Sequence, residues 1–471
     1  MITRRTFIKT TALAVAGTAL PARSWAQVPG ANGDVRVAVI GLNSRGKSHI
    51  DAFTKLAGVR LVALCDVDTA ILNPAAQSLR DKGHPVETFV DVRELLARPD
   101  IDAISIATPN HWHALLTVWA CQAGKDVYLE KPTCHNPWEG RQIIAAAAKY
   151  GRVIQVGAQC RSSDSLAEAV AWVRAGNLGR LNAVRGLCYK PRPSIGLTTG
   201  PQPVPATVDY DLWVGPAPMV PPRRKMFHYN WHWFWATGNG DIGNQGIHQM
   251  DIARWFLGEP ALAPRTLSVG GRLGYVDDAE TANSQIVVHD YPKAPLIFEV
   301  RGLPTDSYHG AKIGVVAHCE GGTVVVPTYT TANAYDGDGK LLKSFSGESN
   351  HYENFIDVVR SRRTADLRCP IAEGHVSTCL CHTANISHRL GAGVPQGELR
   401  EKIRGNTAMA ESFGRMAEHL SKDGVDLDKT PATLGFPLAL DPSTERFIGN
   451  DAANALLTRE YRAPFVVPQI A

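Results

Sequence analysis

What this chain has little of narrows the field first. There is no CxxC pair, and nine cysteines is an odd count. Cys65, Cys121 and Cys188 sit inside apolar runs, as buried small hydrophobes do, so no disulfide framework is expected. No apolar run approaches the ~20 residues that a membrane-spanning helix needs. Basic tracts are absent from the body of the chain, and that excludes nucleic acid as a partner. There is no internal repeat. With 44% hydrophobic and 20% charged residues, neither a disordered nor a fibrous class fits. A length of 471 residues is expected to form two domains, each with its own core.

The first 26 residues stand apart. They read MITRRTFIKTTALAVAGTALPARSWA: a basic start, a short apolar stretch, then small residues around Ser24-Trp25-Ala26. This has the layout of a secretory leader, and Arg4-Arg5 followed by Phe7 and Lys9 resembles a twin-arginine (Tat) signal. Its four basic residues account for the whole formal charge of +4. A periplasmic or otherwise exported protein is expected, handled by the Tat translocon during export.

Beyond the leader, strands and helices alternate. VRVAVIG (35–41) is an apolar run closed by glycine, and VRLVALCDVD (59–68) is a second run that ends in acids. AISIATP (103–109), DVYLE (126–130) and VIQVG (153–157) follow, each separated by a helical stretch. The pattern predicts a doubly wound parallel sheet over residues 34–157, a Rossmann-type domain. After Gly157 the rhythm changes. LNAVRGLCYK (181–190), SQIVVHD, PLIFEVRG, KIGVVAHC and GTVVVPT read as strands of an open, mostly antiparallel sheet. That predicts an α+β domain over 158–440, with 441–471 as a C-terminal extension. A Pro-rich loop is expected at 191–222. One helix is expected from Asp241 to Phe256, others near 351–362, 372–390 and 407–421.

The turn after the first strand is Gly41-Leu42-Asn43-Ser44-Arg45-Gly46. Such a turn brings backbone N–H groups and a helix N-terminus to a pyrophosphate. Asn43 occupies the usual middle glycine position, where asparagine tolerates left-handed backbone angles. Asp66 ends the second strand, where an acid binds the ribose of the cofactor. With Asp68 it would repel a 2′-phosphate, so NAD is favoured over NADP. Thr108-Pro109-Asn110 ends the AISIATP strand, His111 and His113 open the following helix, and Glu130-Lys131-Pro132 ends the DVYLE strand. Ligands of an open parallel sheet sit at these carboxyl ends, so Asn43, Asp66, Thr108 and Lys131 are expected to converge beside the nicotinamide.

GLNSRG, ATPNHWH and LEKP together resemble the Gfo/Idh/MocA oxidoreductases over about residues 35–390. The resemblance implies that Lys131 contacts a substrate hydroxyl and the nicotinamide ribose. It implies that the second domain completes the site and makes the contacts of a homo-oligomer. It also implies a helix of pattern D-x-G-x-H-x-x-D over the nicotinamide. Gly246, His248 and Asp251 match that pattern, whereas Asn244 stands where the family has aspartate.

Asp241, Asn244, His248 and Asp251 fall on one face of the predicted helix. Oxidising a secondary alcohol requires a base for the hydroxyl proton. His248, with an imidazole pKa near the working pH, is the candidate, and Lys131 is placed to steady the alkoxide. Asn244 is able to orient His248 but not to take its proton. Arg161, Lys190, Asp241 and Trp233 are candidates for holding substrate, Trp233 within an aromatic run suited to sugar rings. His375, Cys379 and His382 share a helical face, but with no fourth ligand they read as core packing, and no metal is expected.

The sequence thus points to an NAD-dependent oxidoreductase acting on a secondary hydroxyl of a sugar or polyol. The cofactor is expected to be held tightly and recycled in place, because free NAD is not expected outside the cytoplasm. The alternative is a redox-neutral NAD-dependent glycoside hydrolase or lyase working through a 3-keto intermediate.

Overall fold

The structure is a computed structural model and describes residues 33–348 and 350–470. The leader lies outside the described residues. Among the described residues no helix is long and apolar enough to cross a membrane.

Six strands form the first sheet: β1 (Val35–Ile40), β2 (Val59–Cys65), β3 (Glu87–Phe89), β4 (Ala103–Ile106), β5 (Asp126–Leu129) and β6 (Ile154–Val156). They are all parallel, in the order β3-β2-β1-β4-β5-β6. The order reverses at β1, which opens a crevice at the carboxyl ends of β1 and β4. β4 and β5 are buried along their whole length, because helices cover both faces. These helices are α1 (Arg45–Lys55), α2 (Thr69–Asp81), α3 (Val92–Leu96), α4 (His113–Gln122) and α5 (Pro137–Tyr150). α5 starts where Asn136 caps the N–H of Glu139, with Pro137 at the first helical position. Glu139 in turn accepts from the His135 N–H at 2.7 Å, which fixes the path out of the LEKP turn.

Helix α6 (Asp164–Arg174) leads into β7 (Leu181–Tyr189), the centre of a second, twelve-stranded sheet. β8 (Arg265–Gly271), β9 (Ser284–Asp290), β10 (Leu296–Arg301), β11 (Ile313–Cys319) and β12 (Gly322–Val326) build its body. β13 (Thr331–Asp336) and β14 (Leu341–Ser346) extend one edge, and β15 (Ala392–Val394), β16 (Ala432–Leu434), β17 (Leu438–Asp441) and β18 (Arg446–Phe447) the other. All of its pairs are antiparallel except β7 with β10. This is the open, mostly antiparallel sheet that the alternation predicts, with more edge strands than the sequence reveals.

The single helix expected from Asp241 is two: α7 (Tyr210–Val214) precedes them, then α8 (Gly240–Asn244) and α9 (Gly246–Leu257), broken at Gln245. The His248 N–H bonds to the Gln245 carbonyl, a tightened turn at the junction. α9 lies close on β7 because Gly186 has no side chain. A Cβ there would come within 2.5 Å of Phe298 and 3.3 Å of the Gln249 carbonyl.

α10 (His351–Ser361) crosses back to the first sheet, where Tyr352, Phe355 and Ile356 pack with Val37, Val39 and Tyr128. α11 (Ile371–Arg389) is almost wholly buried. α12 (Gln396–Ile403) and α13 (Thr407–Lys422) cover one end of the second sheet through Leu399, Met409 and Phe413. After α14 (Asp451–Ala455) the chain returns to the first domain, where Phe465 and Val467 join its core beside Trp112.

Candidate active site

Gly41 carries a φ of +80°, and a Cβ on it would lie 2.8 Å from the Ala107 carbonyl. A Cβ on Gly46 would meet the Gly41 oxygen at 2.0 Å. Both positions need glycine, so the turn lies flat against β4 and opens into α1. The left-handed residue between them is Ser44, with φ 51°, and not Asn43. Asn43 instead accepts the Ser44 N–H through its side chain at 3.0 Å, an Asx-type bond that holds the turn.

A cavity of about 320 Å³ runs along these carboxyl ends. Gly41, Asn43, Ser44, Arg45 and Asp66 line one stretch; Thr108, Pro109, Asn110, Glu130 and Lys131 line the next. Lys190 and Asn244 close it from the second domain. The structure therefore brings twelve of the sequence-predicted residues to one cavity. The Thr108 hydroxyl is buried without a partner. An orphaned hydroxyl beside a glycine turn, with an acid at the end of β2, fits a nicotinamide dinucleotide.

Asp66 accepts the Leu42 N–H at 2.8 Å and the Asp68 N–H at 3.0 Å. Burial nevertheless raises its pKa, more than those N–H groups lower it. Glu130 is buried and meets Arg45 at 2.7 Å and His49 at 3.1 Å. Burial opposes its charge, but Arg45 and His49 outweigh that and hold its pKa well below the usual carboxylate range. Glu130 thereby anchors both the glycine turn and Lys131, whose N–H it accepts at 3.1 Å. Lys131 Nζ donates to the Asn244 carbonyl at 2.9 Å. Burial lowers the Lys131 pKa, helped by Arg45 and opposed by Glu130.

Other expected residues stand elsewhere. His113 does not line the cavity; its ring bridges the carbonyls of Pro132 at 2.6 Å and Thr108 at 2.9 Å, tying two strand ends together. Arg161 is a buried partner of Asp251, with bonds of 2.8 and 2.9 Å, and Ser377 also donates to Asp251. Neither Arg161 nor Asp251 is free for a ligand. Asp241 grips Arg192 with bonds of 2.8 and 2.9 Å, and Trp233 lies under the same guanidinium at 5.5 Å. Arg192 is the residue that reaches the cavity. The sequence reading missed it, since a lone arginine in a Pro-rich loop carries no periodic signal.

His248 is not among the residues that line the cavity; it follows Asn244 by four positions, its ring 5.2 Å from Tyr329 and its Nδ1 buried without a partner. Its pKa is not near the working pH, as the sequence suggested. Burial, reinforced by the charge of Lys131, pushes it down to about 3. It is 7% exposed, too dry to carry an ordinary imidazolium.

The loop that follows β7 roofs the nucleotide end. Val208 bridges to Asp68, the Thr69 N–H bonds to the Thr207 carbonyl at 3.0 Å, and the Asp209 N–H to Val67 at 2.9 Å. His228 meets Asp68 at 2.8 Å. Leu212, Trp213, Tyr229 and Trp231 also line the cavity, and Trp213 and Trp231 share one buried cluster against which Val67 packs.

A glycine turn and strand-end acid on one sheet, with a lysine facing a second sheet, define a dinucleotide-dependent oxidoreductase. The chain belongs to the Gfo/Idh/MocA family: residues 35–158 match its oxidoreductase NAD-binding Rossmann fold and residues 180–409 its C-terminal alpha/beta domain. A similar structure is the aldose-aldose oxidoreductase of Caulobacter crescentus complexed with glycerol. It has a TM-score of 0.58 at 18% identity, covering 76% of this chain and 98% of that one. The WlbA dehydrogenase of Bordetella pertussis, in complex with NADH and UDP-GlcNAcA, gives 0.56 at 19% identity, covering 75% of this chain and 97% of that one. Among curated relatives, a glycosyl hydrolase family 109 protein of Shewanella sp. (strain W3-18-1) is 35% identical over 120 residues. That match spans 24% of this chain and 26% of the relative, about a quarter of each.

Proposed function

We propose that this protein is an exported oxidoreductase that takes hydride from a secondary hydroxyl of a sugar or polyol, using NAD that stays bound. The observation that carries the reading is the position of Lys131. It is held by the Glu130 carboxylate on one side and the Asn244 carbonyl on the other, at the point where the nucleotide crevice opens toward Lys190, Arg192 and Tyr229.

Gly41, Ser44 and Arg45 would hold the pyrophosphate, Asp66 the ribose and Thr108 the middle of the dinucleotide. When bound, the nicotinamide supplies the hydride acceptor. Lys131 donates a hydrogen bond to the reacting hydroxyl and stabilises the oxyanion as its proton leaves. His248 is the candidate proton acceptor: burial and Lys131 keep it neutral, and the same depression makes it a weaker base than a free imidazole. Lys190 and Arg192 hold substrate oxygens, with the rings of Tyr229 and Trp231 against a sugar face.

Asp66 supports NAD over NADP, because a 2′-phosphate would meet its carboxylate at the cavity wall; Asp68 stands behind it, paired with His228. The roof of residues 207–213 supports a cofactor that is slow to leave. The leader layout supports export, where a retained cofactor must be reoxidised in place by a second carbonyl substrate.

A second reading has its own support in the family 109 glycosyl hydrolase relatives. In it, oxidation acidifies the neighbouring carbon, the glycosidic group is eliminated, water adds, and the hydride returns. The two readings separate in one experiment. Purified protein is given a panel of free sugars and aryl glycosides while near-ultraviolet absorbance and aglycone release are followed. Reduced nicotinamide building up with a free sugar supports net oxidation. Aglycone release without a change in nicotinamide supports the second reading, and a protein inert to both defeats the first.

A further inference from the structure

The face of α11 that carries His375, Cys379 and His382 does not pack against aliphatic side chains alone. The structure brings Cys134 to it, the third residue past Lys131. The ligand atoms of Cys134, His375 and Cys379 all lie within 4.8 Å of one another, and all three residues are buried.

The distances suit a tetrahedral metal. Zinc binds sulfur at about 2.3 Å and imidazole nitrogen at about 2.0 Å, which sets a sulfur–nitrogen edge near 3.6 Å. Cys379 Sγ lies 3.5 Å from His375 Nδ1. Cys134 Sγ lies 3.8 Å from His382 Nε2, but that nitrogen is turned to the Cys134 carbonyl at 3.1 Å and stands outside the mutual 4.8 Å group of the other three donors. His375, Cys379 and His382 recur at i, i+4 and i+7, so one helix delivers three donors along one stripe.

Two further features point the same way. His375 turns Nδ1 toward the sulfurs, and its Nε2 meets the Glu445 carboxylate at 2.9 Å. A carboxylate on the outer nitrogen is the arrangement that orients a metal-bound histidine. Space is also kept open: a Cβ on Gly140 would fall 2.1 Å from His375 Nδ1 and 3.0 Å from Cys134 Sγ. Any side chain at position 140 would occupy the region the donors share.

We propose that Cys134, His375 and Cys379 hold a structural zinc, with Glu445 as the outer partner of His375 and with His382 turning from the Cys134 carbonyl to complete the tetrahedron. Two thiolates and two imidazoles make a soft donor set that selects zinc over magnesium or calcium. The site fastens the turn that carries Lys131 to α11, beside the bond from the Thr133 N–H to the Thr378 hydroxyl at 3.2 Å. It is independent of the substrate and of the reaction direction proposed above.

The test is zinc content of the untagged full chain after dialysis, by plasma mass spectrometry, with thiols counted in parallel. About one zinc per chain is expected, falling at least about tenfold in Cys134→Ser and Cys379→Ser. Because those variants are able to fail in folding, cobalt(II) is also exchanged into the parent protein. The expected result is intense visible bands with a sulfur-to-cobalt charge-transfer band, the signature of tetrahedral thiolate ligation. A parent protein that holds no zinc and takes up no cobalt overturns the proposal, and so does a Cys134–Cys379 disulfide found by mass spectrometry.

Discussion

Lys131 and Asn244 meet across the two domains. The lysine Nζ reaches from the end of β5 to the carbonyl of the last residue of α8, 2.9 Å away. That bond uses the main chain of Asn244, and both residues line the cavity.

Lys131→Ala is therefore expected to lower kcat by about 10²–10³ while KM changes less, the mark of an interaction stronger in the transition state. The thermal midpoint should move by only about 2–4 °C. Steady-state kinetics and a melting curve check both. Near-full activity would reduce LEKP to a structural turn.

His248 gives a signed pH prediction. Its pKa is depressed to about 3, so the acidic limb of kcat/KM attributable to it should lie well below that of an ordinary histidine. Asn244→Asp places a carboxylate near the ring, favours the imidazolium and should move that limb to higher pH. His248→Ala should cost about 10²-fold or more in kcat. If the Asn244→Asp profile superimposes on the parent and His248→Ala stays active, the proton path runs through Lys131 alone.

Arg192→Ala should raise KM for the sugar about tenfold or more, because it removes a charged donor from the cavity wall and leaves Asp241 unpaired. An unchanged KM in a folded variant would take Arg192 out of substrate binding.

Glu299 tests the second domain. It is fully buried and receives Arg185 at 2.9 Å, Arg301 at 3.0 Å and the Tyr189 hydroxyl at 2.7 Å. Burial opposes its charge, yet Arg301, Arg415 and Arg185 hold its pKa at about 2, against 4.5 for a free glutamate. The stability it contributes is thus complete above pH 4.5 and is lost as pH falls toward about 2. Glu299→Ala, which strands the buried Arg301 and leaves Arg185 and Arg415 with Glu411 alone, should cost about 3–5 kcal/mol at neutral pH. Denaturant unfolding of parent and variant at several pH values reads both effects. A variant as stable as the parent would show that the network is not needed.

The first domain is legible because its strands are short apolar runs, each ending in a chemically distinctive residue: Gly41, Asp66, Thr108, Lys131. Local pattern and local chemistry coincide there. The second domain hides more. The break at Gln245 leaves no trace, since Gly240–Leu257 keeps a helical period on both sides of it. Arg192 reaches the cavity only because Asp241, distant in sequence, holds it there. The imidazole of His248 looks ordinary until its burial is known. Cys134 joins His375 and Cys379 across 241 positions, a separation that no spacing rule detects. The roof of residues 207–213 and the return of Phe465 to the first core are tertiary facts of the same kind.

The cofactor claim has its own check. Protein purified without added nucleotide and then denatured should release NAD or NADH, and Asp66→Ser should narrow the preference for NAD over NADP in reconstitution. Release of NADP instead would overturn the reading of Asp66 and Asp68.

The central claim is that bound nicotinamide exchanges hydride with a sugar inside this cavity. Its most direct measurement is the near-ultraviolet spectrum of the purified protein before and after a panel of sugars and polyols, with no NAD supplied. The account predicts that one class of sugar raises the reduced-nicotinamide band to about one equivalent per chain, and that a carbonyl acceptor then reverses it. A protein that carries no nicotinamide, or whose bound nicotinamide no sugar or glycoside changes or turns over, would contradict it.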